Sequence, residues 1–365
     1  MLKFVVFGFL LMASLMTSFS ARADYANAVT AFEREDYERA IQEISGLLQQ
    51  KEPKAQYLMG LMYYRGGGVN QDYKKAFDLF QEASDAGLVD AKTFLAFLYD
   101  SGKGVEEDKQ KALELYQEAA DAGDITAKIN LGVMFYNGDG VPQSYDKAFD
   151  LFSENEHVNS ETLQFYLGNM YYFGYGVEPN SEKAKKHYEN AAALGNLKAH
   201  YFLGHIYQNA RDPEAEKYYL YSAYNGDVEA MFNLAALYVG GTMGGIQKEK
   251  AYAWFSKAED GGMPEAGKAL EKLKDNMGFM EISRAKTYLV EIEKVSPASV
   301  PSPVPKTVLA SMVKKPSSSG LSSPIVSSSM SSSSRGGSGF SSGVSGSRVS
   351  SPSSGRGRRK LRRSR

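Results

Sequence analysis

The chain of 365 residues carries 42 Lys and Arg against 43 Asp and Glu, is 43% apolar, and holds four histidines and no cysteine. The lack of cysteine excludes disulfides, thiolate metal sites and cysteine nucleophiles. The net charge of −1 conceals an uneven distribution: residues 24–295 hold 28 basic residues against all 43 acids, a net of −15, whereas residues 296–365 hold 12 basic residues and no acid.

From the N-terminus, Lys3 is followed by an apolar run from Phe4 to about Met16 and by Ala21-Arg22-Ala23. This three-part pattern predicts a secretory signal over residues 1–23, cut after Ala23. An uncleaved anchor helix is the alternative, but the run is short for a membrane span and includes Ser14, Thr17 and Ser18. The expected product is periplasmic or secreted, with no transmembrane span after cleavage.

The body then repeats. Ala55, Leu58, Gly60 and Tyr63 open a helix, Gly66-Gly67-Gly68-Val69 breaks it, and a second helix runs from Asp72 through Lys75-Ala76 and Phe80 to a stop at Gly87. The pattern restarts at Ala91 and Ala127, 36 residues apart, and again at Leu163. A period of this length means stacked helix pairs rather than one large core. Units fall at about 24–54, 55–90, 91–126, 127–162, 163–198, 199–229 and 230–265, with an amphipathic cap over 266–295. The fifth full unit, 199–229 if 24–54 is taken as a shortened first one, loses five residues of its loop and joins its helices through Arg211-Asp212-Pro213; that of 230–265 is distorted by Thr242-Met243-Gly244-Gly245. About sixteen helices are expected between Asp24 and Val295.

Asp36, Asp72, Asp108, Ser144 and Asn180 share one register, and each offers a short side-chain oxygen to cap a starting helix. Gly87, Gly123, Gly195, Gly226 and Gly262 fall where a helix closes on a left-handed residue, a role given once to Asn159. Lys75, Lys111, Lys147 and Lys183 sit at the positive end of the second helix, where an acid is expected. An inter-repeat ion pair is the one reading open to them from sequence. At the third joint, Asn155-Glu156-His157-Val158-Asn159-Ser160 is poor in helix formers, so the stack is expected to be loosest there.

The motif A-x-x-x-L-G-x-x-Y-x-x-G-x-G-V-x-x-D-x-x-K-A-x-x-x-Y-x-x-A-A-x-x-G resembles the Sel-one-like repeat (SLR), a relative of the tetratricopeptide repeat, over residues 24 to about 295. The resemblance implies an all-α, right-handed superhelical solenoid of antiparallel helix pairs, with the first helices lining a concave wall where variable residues select a partner. Beyond it, residues 296–365 collapse into Ser, Pro and Gly and read as a disordered basic tail.

Chemistry is hard to find. The glycine loops lack the Gly-Lys-Ser/Thr of a phosphate-cradling loop and recur as structural turns do. His200 and His205 splay to different faces of one helix, His187 reads as surface-leaning, and His157 lies in a polar turn, so no metal-ligand spacing exists. No catalytic residue, metal or cofactor is assigned, and the chain is read as a non-catalytic scaffold or adaptor of the bacterial cell envelope.

Its candidate partner is a protein or peptide segment. Positions three, six and ten after each opening residue form one helical stripe, from which Arg65, Phe97, Asn130, Asn137, Asn169, Phe173, His205, Asn209 and Asn233 are the candidate contacts. Packing between helices is the competing reading for the aromatics. A second candidate partner is an anionic envelope polymer such as glycan or lipopolysaccharide, held by Arg356, Arg358, Arg359, Lys360, Arg362, Arg363 and Arg365. Nucleic acid suits the Arg-rich chemistry but not the expected location.

Overall fold

The computed structural model describes residues 22–313 apart from 242 and 243. The expected signal sequence, Thr242-Met243 and the tail arginines from Arg356 to Arg365 therefore lie outside the described residues. A first helix, α1 (22–33), pairs with α2 (Tyr37–Gln49). Then follow α3 (Pro53–Arg65) with α4 (Tyr73–Asp85), α5 (Val89–Ser101) with α6 (Lys109–Asp121), and α7 (Ile125–Asn137) with α8 (Tyr145–Ser153). Next come α9 (Glu161–Phe173) with α10 (Ser181–Ala193), α11 (Leu197–Asn209) with α12 (Glu214–Tyr224), and α13 (Val228–Gly240) with α14 (Lys248–Asp260). The pair α15 (Pro264–Lys274) and α16 (Phe279–Glu293) closes the array, and α17 (Lys306–Val313) lies beyond it. From α2 to α15 each helix packs on the next, and α16 packs back on α14, so the chain is an α-solenoid of helix pairs, as the period implied.

Close approach within a pair depends on small residues. Ala55, Ala91, Ala127, Ala199 and Ala230 on the first helices and Ala76, Ala112, Ala148, Ala184 and Ala251 on the second are fully buried. One turn further, Gly60 and Gly168 make room for an aromatic ring: a Cβ there would stand 2.7 Å from Phe80 Cε1 and 2.6 Å from Tyr188 Cδ1. Each second helix thus buries a single face. Each first helix is covered on two flanks, by its own partner and by the preceding unit, and in α9 every residue from Leu163 to Tyr171 is buried.

The helix starts follow the register seen in the sequence. Asp36, Asp72, Asp108, Ser144 and Asn180 each accept the backbone N–H three residues on, at 3.4, 3.0, 2.9, 3.4 and 2.9 Å. The lysine at that third position is explained inside its own unit. Lys75, Lys147 and Lys183 hold their ammonium groups 5.2, 4.9 and 4.8 Å from the ring centroids of Tyr63, Phe135 and Tyr171 on the paired first helix. A cation over a ring face contributes about 0.5–1 kcal/mol when exposed, enough to offset the unfavourable dipole end. No inter-repeat ion pair is needed.

Three expectations are corrected. Asn159 is not left-handed: positive φ among non-glycine residues occurs at Glu35, Lys51 and Arg211. Instead α8 ends early, at Ser153, and successive turns carry the chain to Ser160, which caps α9. His187 is buried and not surface-leaning, its ring stacked 5.5 Å from Tyr171. Order also continues past 296: a 3-10 turn at Pro297–Ser299, a buried Val304 and α17 show that the start of the tail is folded.

Candidate functional site

The stripe expected to face a partner divides in two. Phe97, Asn130 and Asn169 are interior, at 8%, 0% and 3% exposure. Asn130 faces the Tyr116 hydroxyl of α6, and Asn169 Oδ1 accepts from Tyr188 Oη at 2.8 Å. Phe97 packs edge-on to Phe94 and Tyr64 beneath the Lys103 ammonium. These three belong to packing because a first helix buried on two flanks has few positions left for solvent.

The other candidates reach the surface. Arg65 is exposed with its guanidinium 5.1 Å above Phe32. Asn137 is exposed and donates to Asp139 Oδ2 at 3.1 Å. Phe173 is 41% exposed, and Asn209 is exposed beside the Tyr172 hydroxyl. His205 and Asn233 are half-buried and meet each other, with Asn233 Nδ2 3.3 Å from His205 Nε2 and 3.2 Å from Tyr201 Oη. Because the amide NH2 is a donor, His205 Nε2 is an acceptor there, and burial pushes the imidazole pKa below its ordinary value.

Rings join several of these positions into one ridge. Tyr145 stacks on Tyr175 at 4.3 Å with the planes 6° apart, Tyr175 stacks on Phe173 at 5.3 Å, and Phe173 meets Phe202 edge-on at 5.8 Å. Phe202 in turn packs against Tyr201, and Tyr201 against His205. The ridge runs from the start of α8 across the ends of α9 and along α11, over three units, and most of its rings are half-buried. Tyr145 and Tyr175 were missed by the helical stripe because one starts a second helix and the other tips a glycine loop. A signal was present for Tyr145, since Tyr37, Tyr73 and Tyr145 recur at one register of the repeat, but not for Tyr175, whose register holds Gly67, Lys103 and Asp139 in the other units. Such a surface offers large, rigid contact area with amides at its edge, and nothing in it supplies a nucleophile beside a base.

The repeat pattern decides the family. A Sel1 repeat model matches residues 53–88, 89–124, 125–154, 163–196 and 228–263. The chain belongs to the Sel1 repeat family. Sel1 repeat proteins are typically protein-interaction scaffolds, and the repeat is a non-catalytic fold. The pair α11–α12, which lacks the glycine loop, is not among the matched repeats of this Sel1 protein, and the third match stops where α8 stops.

Among solved structures, a protective antigen of uropathogenic Escherichia coli with an SLR fold is 26% identical, with a TM-score of 0.62 over 75% of this chain. The match covers 61% of that protein, less than two thirds of its length. A Sel1 repeat protein from Oxalobacter formigenes, also 26% identical, superposes with a TM-score of 0.55 over 64% of this chain and 96% of its own. No curated protein matches the sequence. Among the described residues no helix is long and apolar enough to cross a membrane.

Proposed function

We propose that this Sel1 repeat protein is an adaptor of the bacterial cell envelope that binds a segment of another protein on its first-helix side. The observation that carries this reading is the ridge of Tyr145, Tyr175, Phe173 and Phe202, edged by Asn209, His205 and Asn233. Aromatic rings held by their neighbours bury area at little entropic cost, and amides pair with an extended main chain. The N-terminal pattern of Lys3, an apolar run and Ala21-Arg22-Ala23 supports export, and N-terminal sequencing of the mature protein is expected to begin at Asp24. Cross-linking in envelope extract with the full chain, compared with Phe173→Ala and Tyr175→Ala, tests the binding face. A partner captured equally by both variants and the parent would remove the ridge from the account.

A second reading attaches to the tail, where nine basic residues lie between Arg335 and Arg365 without an acid. Such a segment is drawn to polyanionic glycan or lipopolysaccharide, with an attraction screened over about 8–10 Å at physiological salt. Retention on lipopolysaccharide that falls steeply with salt, and disappears when 335–365 are deleted, is the expected result. Salt-independent retention by the shortened chain would assign binding to the solenoid.

A further inference from the structure

Four units carry a valine in their loop, Val69, Val105, Val141 and Val177, each half-buried. Every one of these loops lies against the second helix of the preceding unit. The contact is made by the glycine just before the valine: Gly68 closes on Tyr37, Gly104 on Tyr73, Gly140 on Lys109 and Gly176 on Tyr145. By that rule the start of α10 should be covered by the loop of the next unit. The next unit has none, because α11 and α12 are joined directly by Ala210 to Pro213.

The flank of α10 is instead covered by a segment from about a hundred residues away. Ser302 Oγ lies 3.0 Å from His200 Nε2, Pro303 O accepts from Tyr218 Oη at 3.5 Å, and α17 packs along α10. Val304 is 3% exposed and joins the apolar cluster that includes Tyr188, Ala191, Ala199 and Tyr218. The receiving side is built for a polar contact. His200 is 1% exposed and stacks on Tyr221, and its Nδ1 lies 3.1 Å from Asn196 O. A carbonyl can only accept, so Nδ1 carries the hydrogen and Nε2 is left to accept from the Ser302 hydroxyl. Pro301, Pro303 and Pro305 fix φ and carry no N–H. The segment is thereby pre-set as an extended chain, and little ordering entropy opposes its docking.

We propose that the slot between α10, α12 and the start of α11 is a peptide-docking site for a Ser-Pro-Val-Pro segment, and that residues 302–309 of the same chain are its ligand. The described residues therefore end beside α10 of the fourth unit and not at the end of α16. This site takes its polar contacts from His200 of α11 and Tyr218 of α12, neither of which belongs to the ridge.

The slot is testable with a labelled synthetic peptide of residues 299–311 and the full-length chain. Val304→Asp should expel the strap while leaving the helical circular dichroism intact, and this variant should bind the peptide at least tenfold tighter than the parent does. Adding His200→Ala should weaken that binding several-fold. If Val304→Asp does not fold, Val304→Ala serves the same comparison with a smaller expected gain. Failure of the peptide to bind a folded released variant, or equal binding to released and parent chains, would overturn the proposal. A parent dimer by light scattering that Val304→Asp dissolves would overturn the assignment to the same chain, placing a second copy's strap in the slot.

Discussion

The Tyr188 hydroxyl donates to Asn169 Oδ1 at 2.8 Å with both side chains buried. The pair links α10 to α9 within one unit, shielded from solvent. Removing the acceptor strands the phenol, at a cost of about 1–3 kcal/mol. Asn169→Ala is thus expected to lower the melting temperature by several degrees, whereas Phe173→Ala and Asn209→Ala at the surface should leave it within about a degree or two. A thermal melt of the three variants decides whether the amide belongs to packing. An unchanged melting temperature for Asn169→Ala would return it to the binding face.

That division explains what could be read in the sequence. Period, helix boundaries and caps were legible because Asp72, Asp108 and Asn180 act locally, on an N–H three residues away. The face of a first helix was not. Spacing puts Asn130, Asn169 and Phe173 on one stripe, yet burial depends on the preceding unit as well as on the helix itself. The folding of 302–309 was invisible for a related reason: Ser-Pro-rich composition argues against an independent core, and this segment borrows one from α10. Only the missing loop of the 199–229 unit hinted that a surface there needed cover.

The contact between units has its own signature in the second loop glycine. Gly176 has φ of +67°, and a Cβ there would stand 2.5 Å from Tyr145 O. Gly195, with φ of +105°, has nothing within 4 Å of such an atom. Both Gly→Ala changes carry the backbone penalty of about 1–2 kcal/mol for a left-handed residue. Only Gly176→Ala must also push two units apart, so it should destabilise the chain by clearly more than Gly195→Ala in urea unfolding. Equal losses would mean that backbone conformation accounts for both glycines.

The third joint is short of helix but not of hydrogen bonds. Gln164, 2% exposed, donates to Glu156 O at 2.8 Å and Val158 O at 3.1 Å, while its Oε1 meets His187 Nδ1 at 2.9 Å and Asn190 Nδ2 at 3.1 Å. One amide ties the irregular turns to both α9 and α10. Hydrogen exchange should still dip around 155–160, where no regular helix protects the backbone, and Gln164→Ala should deepen that dip while leaving α3 to α6 unchanged. Protection at 155–160 equal to that of the flanking helices would show that the joint is as rigid as the rest of the stack.

Two buried histidines make stability depend on pH below their ordinary range. Burial is the main cause that lowers His187 and His200 to about 4 from an ordinary 6.5. Glu156 opposes the shift at His187, and Lys186 and Lys183 add to it; at His200 the Asn196 carbonyl opposes it. Below pH 6.5 the unfolded chain binds protons at these rings and the folded chain does not. Stability is therefore full above about 6.5 and is lost as pH falls towards 4, by roughly 1–3 kcal/mol for each ring. Carboxylates with lowered pKa, such as Glu118 beside Lys92, lose their contribution only at lower pH, while burial raises others such as Asp124 and also lowers His205, so the share of His187 and His200 is what their substitutions remove from the slope. Urea unfolding across the interval from about 6.5 to 5 should give a slope that His187→Gln and His200→Gln each reduce. A slope unchanged in the double variant would show that other groups carry the acid sensitivity.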